Sequence, residues 1–336
     1  MARWTTLAWL GLAGCSPYRF ATVDEACPDQ LAGEAQLEPG TAAMLSRFAC
    51  YRRFEGLQMP RITPGAQDAV AAHAHYMEVN GILDPESPYF AQTLNDVFRE
   101  DPSLPGFTGR DAVARLVHFE ALDLTTSFGL WDVILPDGGA GVADLNVADP
   151  YTRDVVFQPL WYAVGYAVID TPGVDAGYFS AVYATPPASH VAHPIVYPRD
   201  GQTDLPASYA TIGDEADPMS VVPISGFPIT ISVGAFESNG SDNPFDLHPV
   251  SATLTGEEGE IQLIVVPPGS YPWGPMVGTI AYAPYEQLVP GHTYEFDAKI
   301  RWNAYPNGKD VHSTFTVADD AQTVDLTQTA KMGPIR

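Results

Sequence analysis

Three cysteines and eight histidines carry most of the reactive chemistry in this 336-residue chain. Cys15 closes a stretch in which one arginine precedes an apolar run, Trp4 to Leu12. That pattern reads as a secretory signal over residues 1–14. Export places the remaining pair, Cys27 and Cys50, in an oxidising compartment, where a disulfide is their default state. It would stabilise the fold by roughly 3 kcal/mol in the chain-entropy model. Among the histidines, His73 shares an apolar helix face with Ala66, Ala69, Val70 and Met77. It reads as a hydrogen-bonded core histidine rather than a metal ligand. His118, near Glu120, reads as part of a solvated helix end. His190, His193, His248, His292 and His312 are scattered, with no close-spaced pair on one strand face to suggest zinc. G-x-S-x-G, H-E-x-x-H and C-x-x-C are all absent from the sequence. Gly138 to Gly141 lacks the strand and helix context of a phosphate-binding loop.

The elements that must position these groups centre on Tyr151 to Asp170. This stretch reads as a short helix, Pro159, and a strand with two apolar rows. Leu160, Tyr162, Val164, Tyr166 and Val168 form one row; Trp161, Ala163, Gly165, Ala167 and Ile169 form the other. Both faces should be covered, and the small row lets another element come close. Gly177 to Thr185 completes a hairpin. Upstream, Thr41 to Glu55 reads as a helix capped by Thr41 and ended by Gly56. Thr63-Pro64 opens a second helix that Gly81 stops. Thr108-x-x-Asp111 resembles a capping box. Downstream of Pro186 come short strands separated by turns: 228–236, 250–254, 261–266, 278–282, 294–300 and 314–317. That spacing predicts a β-sandwich. Residues 16–40 read as a tether and 319–336 as a loose polar tail.

The charge balance is 16 basic against 41 acidic residues, a net charge of −25. Nucleic acid and anionic lipid surfaces would be repelled, so neither is expected as a partner. No run after the first is long enough to span a bilayer.

Several motifs resemble known families. Leu12-Ala13-Gly14-Cys15 resembles the bacterial lipobox. The resemblance implies diacylation of Cys15, and Ser16 after it implies an outer-membrane or surface lipoprotein. Asp149-Pro150-Tyr151-Thr152-Arg153, Gln158-Pro159-Leu160 and Val164-Gly165-Tyr166-Ala167 resemble the S-P-x-H-R, L-x-P and glycine-rich strand of the CAP (cysteine-rich secretory, antigen 5, pathogenesis-related) superfamily. The segments LSRFACYRRFEGL, HAHYMEVNG and Phe107-Thr108-Gly109 match further family motifs, with Arg52 or Arg53 near a family arginine. Leu288 to Tyr294 and His312 to Thr316 resemble bacterial Ig-like domains.

The resemblance implies an α+β chain: signal 1–14, tether 15–40, a CAP-type α-β-α sandwich over 41–186, an Ig-like β-sandwich over 187–318 and a tail over 319–336. It implies a cavity whose equivalents here are His73, Asp84, Glu86, Asp132, Thr152 and Arg153. Thr152 stands where the family has histidine, and the loop after the second helix offers only Asp84 and Glu86. Such a cavity lacks the family's two imidazoles at their usual positions, so no metal, cofactor or catalytic residue is expected. Asp132 is expected to orient the cavity with Arg153. The implied function is a lipid-anchored envelope protein that binds a ligand, glycan or protein without catalysis. The alternative is a carboxylate-based or metal-assisted hydrolase of cell-wall or peptide substrates.

Overall fold

Residues 20–28, 37–57, 62–91, 94–121, 128–136, 140–157, 161–171, 174–184, 194–210, 224–233, 247–268, 278–302 and 305–325 are described by the computed structural model. Among the described residues, six α-helices and three strands occupy the first half. They are α1 (Pro39–Phe54), α2 (Pro64–Asn80), α3 (Leu94–Phe98), α4 (Ala112–His118), β1 (Phe128–Pro136), α5 (Ala140–Ala148), α6 (Pro150–Val156), β2 (Trp161–Thr171) and β3 (Val174–Ala184). The strands pair antiparallel in the order β1-β3-β2, so the expected hairpin exists but β3, not β2, is central. The chain is of the α+β class.

Strand parity explains how the helices cover this sheet. Val164 and Tyr166 join the core cluster that contains Phe48 and Phe54 of α1. Ala167 and Ile169, on the opposite row, join Val70, Ala74 and Met77 of α2. The two helices therefore lie against opposite faces of β2. Gly165 permits the α2 contact. A Cβ there would sit 2.5 Å from the carbonyl oxygen of Ala66. Val168 departs from the expected cover, being 39% exposed.

The helix ends follow local chemistry. Thr63 caps α2 by accepting from the Ala66 amide at 3.3 Å, Pro64 begins it, and Gly81 ends it at φ 61°. In α1 the expected cap is corrected. Pro39 starts the helix two residues earlier, and the buried Thr41 hydroxyl donates to the Tyr166 carbonyl at 3.3 Å. In α4 the cap is Asp111, which accepts from the Ala114 amide at 2.8 Å, while Thr108 turns its hydroxyl to Glu100.

The second half contains β4 (Ile195–Tyr197), β5 (Gln202–Leu205), β6 (Ser208–Ala210), β7 (Ile224–Gly226), β8 (Ile229–Ser232), β9 (His248–Gly256), β10 (Gly259–Ile261), β11 (Leu263–Val266), β12 (Thr279–Pro284), β13 (Thr293–Trp302), β14 (Tyr305–Val317) and β15 (Thr323–Asp325). A five-stranded sheet, β10-β9-β13-β14-β5, accompanies a four-stranded one, β11-β12-β8-β4. Tyr294, Phe296, Ala298, Ile300 and Trp302 alternate inward along β13. Phe296 meets Tyr282 of β12 with ring centroids 5.3 Å apart, so the two sheets share a core. Every residue of β8 and β12 is buried, so the two central strands of the four-stranded sheet are covered on both faces. The expected tail also needs correction, because β15 pairs in parallel with β6.

The halves are packed together. One core cluster runs from Phe48 and Tyr166 through Tyr197 and Phe227 to Ile231 and Phe296. Residues 20–27, read from sequence as part of a tether, contribute the buried Val23 and Ala26 to it. A disulfide joins Cys27 to Cys50 and ties this lead-in to α1. The lead-in is held on its other side by the Thr203 amide, which donates to the Ala21 carbonyl at 3.0 Å. Among the described residues no helix is long and apolar enough to cross a membrane.

Candidate functional site

The six residues expected to share one cavity occupy several separate settings. His73 is fully buried on α2. Its Nδ1 lies 3.0 Å from Glu100 Oε1 and its Nε2 lies 3.1 Å from the Val97 carbonyl oxygen. Its ring meets Tyr178 edge-on at 4.8 Å. Glu100, missed in the sequence, accepts from the Thr108 and Gly109 amides at 2.5 and 3.0 Å. Arg115 stands 3.8 Å from Glu100 and donates to the Tyr178 hydroxyl at 3.0 Å. Burial pushes the His73 imidazole down to about 4, against the pull of Glu100. Burial also works against the Glu100 charge, but the His73, Thr108 and Gly109 hydrogen bonds outweigh it and hold the carboxyl below its ordinary value.

Asp84 and Glu86 sit in the surface turn after α2. The Glu86 amide donates to Asp84 Oδ1 at 2.9 Å, and Glu86 is exposed. Thr152 ties the α5–α6 junction, its hydroxyl donating to the Asn146 carbonyl at 2.9 Å. Arg153 is buried at the junction between halves. It donates to the carbonyls of Val147, Ala148 and Pro228 and to the Thr230 hydroxyl. Tyr197 and Phe227 lie 4.8 and 5.0 Å from its guanidinium carbon. Burial lowers its pKa to about 10. Asp132 lies in β1 opposite Ser180 of β3; its side chain, like Cys15, is outside the described residues. His73 and Arg153 thus belong to different networks, one around α2 and one at the helix–sandwich junction.

A different place combines space with polar groups. A cleft of about 420 Å³ opens where α1, α5, the lead-in and the β4–β5 region meet. Arg47 and Tyr51, one helical turn apart on α1, converge on Asp144 of α5. Arg47 Nε donates to Asp144 Oδ1 at 2.6 Å, and the Tyr51 hydroxyl donates to the same oxygen at 2.7 Å. Arg47 also pairs with Asp24 of the lead-in. Burial opposes the Arg47 charge, but the Asp144 and Asp24 carboxylates hold the guanidinium protonated. Burial likewise keeps the Tyr51 phenol well above its ordinary pKa, hence neutral. On the facing wall, Gln202 donates to the Tyr197 hydroxyl at 3.2 Å and to Asp204 Oδ1 at 2.8 Å. Asp204 Oδ2 accepts the Val23 amide at 2.8 Å. Phe227 supplies an apolar surface.

The walls are thus pre-organised by hydrogen bonds, with aromatic faces between planar polar groups. Its polar lining is two carboxylates, two phenols, one guanidinium and one amide, and no histidine or cysteine lines it among the described residues. Such a lining can bind and orient a polar molecule but offers no near-neutral proton carrier. Sequence reasoning missed the cleft because its walls come from residues more than 180 positions apart, Val23 and Asp204 among them. Neither a known protein-family model nor a curated protein sequence matches the chain.

Proposed function

We propose that this chain is a non-catalytic binding protein of the cell envelope, anchored through a lipid on Cys15. On this reading the first half is a CAP-type α-β-α sandwich and the second an Ig-like β-sandwich. The cleft between them takes a small polyhydroxylated ligand of mono- or disaccharide size. Helices against both faces of a three-stranded antiparallel sheet support the first assignment. The two sheets sharing the Phe296–Tyr282 core support the second.

The carrying observation is the Arg47–Asp144–Tyr51 cluster at the cleft wall. Neutral phenols and an amide offer donors and acceptors together, and aromatic rings can cover the apolar face of a sugar ring. The absence of catalysis is argued from His73 and Glu100. They form an imidazole–carboxylate pair, but both side chains are sealed at 0% exposure, out of reach of a substrate. Loss of a fold's catalytic groups leaves its binding surfaces intact, and function resides in the site rather than the fold.

The test is ligand-observed NMR with glucose, N-acetylglucosamine, maltose and cellobiose, followed by calorimetry on any that bind. At least one is expected to bind with a dissociation constant between about 1 μM and 1 mM. Tyr51→Phe and Asp144→Asn should each weaken it about ten-fold, the loss of one hydrogen bond. No binding by any of the four up to about 10 mM, or binding indifferent to both substitutions, would overturn the cleft assignment. The anchor is tested separately: Cys15→Ser should move the protein from the membrane to the soluble fraction.

A further inference from the structure

We propose that Glu295, Asp297 and His312 form a one-ion site for a borderline divalent cation of the zinc type on the outer face of the five-stranded sheet. The site is independent of the cleft. Asp297 of β13 stands directly opposite His312 of β14 in the antiparallel register. Glu295 is two residues earlier on β13, so it shares that face, and all three side chains are exposed. His312 Nδ1 lies 2.9 Å from Asp297 Oδ1 and 4.0 Å from Glu295 Oε1. One ligand atom from each lies within 4.8 Å of the others. Tetrahedral ligands at zinc distances of about 2.0–2.2 Å stand about 3.4 Å apart. The two observed separations bracket that value, so small rotamer changes would close the set.

The scaffold suits the task. β13 is an inner strand, paired with β9 on one side and β14 on the other, so the backbone beneath two of the three ligands is fixed. The imidazole is oriented by its far nitrogen. Nε2 lies 3.2 Å from the Thr314 hydroxyl oxygen. A ring that gives Nδ1 to a cation carries its proton on Nε2 and can donate it to the Thr314 hydroxyl, which would fix the ring as an outer hydrogen-bond acceptor. Charge favours a dication. Two carboxylates face one imidazole, and Asp200, whose Oδ1 accepts the Thr314 amide at 3.0 Å, adds a third negative charge nearby. β9 contributes only Thr253 and Thr255 opposite Asp297 and Glu295. The next outward residue of β13, Lys299, stands opposite Asp310.

The ligand set selects the ion. An imidazole nitrogen suits zinc and is not a ligand that calcium or magnesium seeks. On binding, the cation takes the Nδ1 lone pair, and any proton held there by Asp297 leaves to solvent. Affinity therefore falls as the pH drops and His312 protonates. Three protein ligands leave the remaining positions to water.

Calorimetry with zinc chloride at pH 7.5 tests the assignment on the full chain carrying Cys15→Ser, which removes a competing thiol. One-to-one binding is expected, with no equivalent event for calcium chloride. His312→Ala and Asp297→Asn should abolish it, and Glu295→Gln should weaken it at least ten-fold. Thr314→Val should retain the stoichiometry with lower affinity. Zinc should also raise the unfolding temperature of the parent and not of His312→Ala, whose metal-free unfolding temperature should match the parent's. Absence of one-to-one zinc binding, its persistence in His312→Ala, or equal binding of calcium would each overturn the proposal.

Discussion

Acidification should remove the stability that neutral His73 contributes before its partner Glu100 is protonated. The imidazole is fully buried, and burial lowers its pKa to about 4 from 6.5. Between those values the unfolded chain binds a proton that the folded chain refuses, so folding stability falls as the pH falls. The full shift corresponds to about 3 kcal/mol, and the part expressed between pH 7.5 and 5.0 is about 2 kcal/mol. Glu100 adds its own loss only below its unfolded value of 4.5, since its folded pKa is depressed. The window from pH 7.5 to 5.0 therefore separates His73 from Glu100, while Glu55, raised to about 8, gains stability across it as the pH falls.

Urea unfolding of the parent and of His73→Gln at the two pH values is the assay. Glutamine retains one donor for the Glu100 and Val97 oxygens but does not titrate. The stability of the parent relative to His73→Gln should drop by about 2 kcal/mol on going to pH 5.0. Comparing the two chains cancels the other groups, including His312, whose hydrogen bond to Asp297 raises its pKa and acts with the opposite sign. One opposing force is built into the site. Both ring nitrogens face oxygens, and a neutral ring has a single N–H to offer them. If that geometry prevailed, His73 would be an imidazolium paired with Glu100, and the relative stability of the parent would rise or stay level at pH 5.0. Either result would refute the argument from burial.

Arg153→Lys should destabilise by about 3 kcal/mol or more, measured by thermal unfolding, because one ammonium cannot serve three carbonyls and the Thr230 hydroxyl together. Cys27→Ser combined with Cys50→Ser should cost about 3 kcal/mol in denaturant unfolding, given the sequence separation of 23. Glu55 is raised to about 8, mainly by burial, with Arg199 and Arg153 opposing, and its Oε1 has no hydrogen-bond partner among the described residues. Its folded pKa lies above the unfolded 4.5, so its contribution weakens as the pH rises through that window. Glu55→Gln should accordingly stabilise at pH 8 by on the order of 2 kcal/mol and leave stability unchanged at pH 4.

What could be read from the sequence was whatever a short window determines. The cap, proline and glycine of α2 are local signals, and all three act as expected. The small row of β2 announced a close neighbour, and Ala66 supplies it at Gly165. In the second half β8, β9, β11, β12, β13 and the end of β14 were legible from the spacing of apolar pieces and turns, whereas β4, β5, β6, β7, β10 and β15 were not. Local signals failed where a distant partner decided. Tyr305 lies in a turn-like stretch, yet it pairs with Trp302 of β13 and opens β14. Thr41 resembles a cap, but Tyr166 presents a carbonyl to its hydroxyl. Glu100 lies in an irregular segment with no periodicity, so its approach to His73 had no sequence signature. The cleft needed three segments at once, and no pattern within one segment encodes such a meeting.

The segment Pro150 to Arg153 shows how a stretch that resembles an active-site motif can serve construction instead. Thr152 directs its hydroxyl to the Asn146 carbonyl, a group that the end of α5 would otherwise leave without an intrahelical donor. Arg153 then satisfies two further carbonyls of that helix end and reaches Pro228 and Thr230 across the junction. A histidine at 152 could donate through only one nitrogen when neutral, and its ring would need room that the hydroxyl does not take. Arg52 and Arg115 repeat the device, donating to the Val156 and Phe98 carbonyls at 2.7 and 3.1 Å. In a chain with so few basic residues, three are therefore committed to backbone oxygens inside the fold. Buried guanidinium groups hold irregular backbone together here because five fixed donors can meet several carbonyls at once.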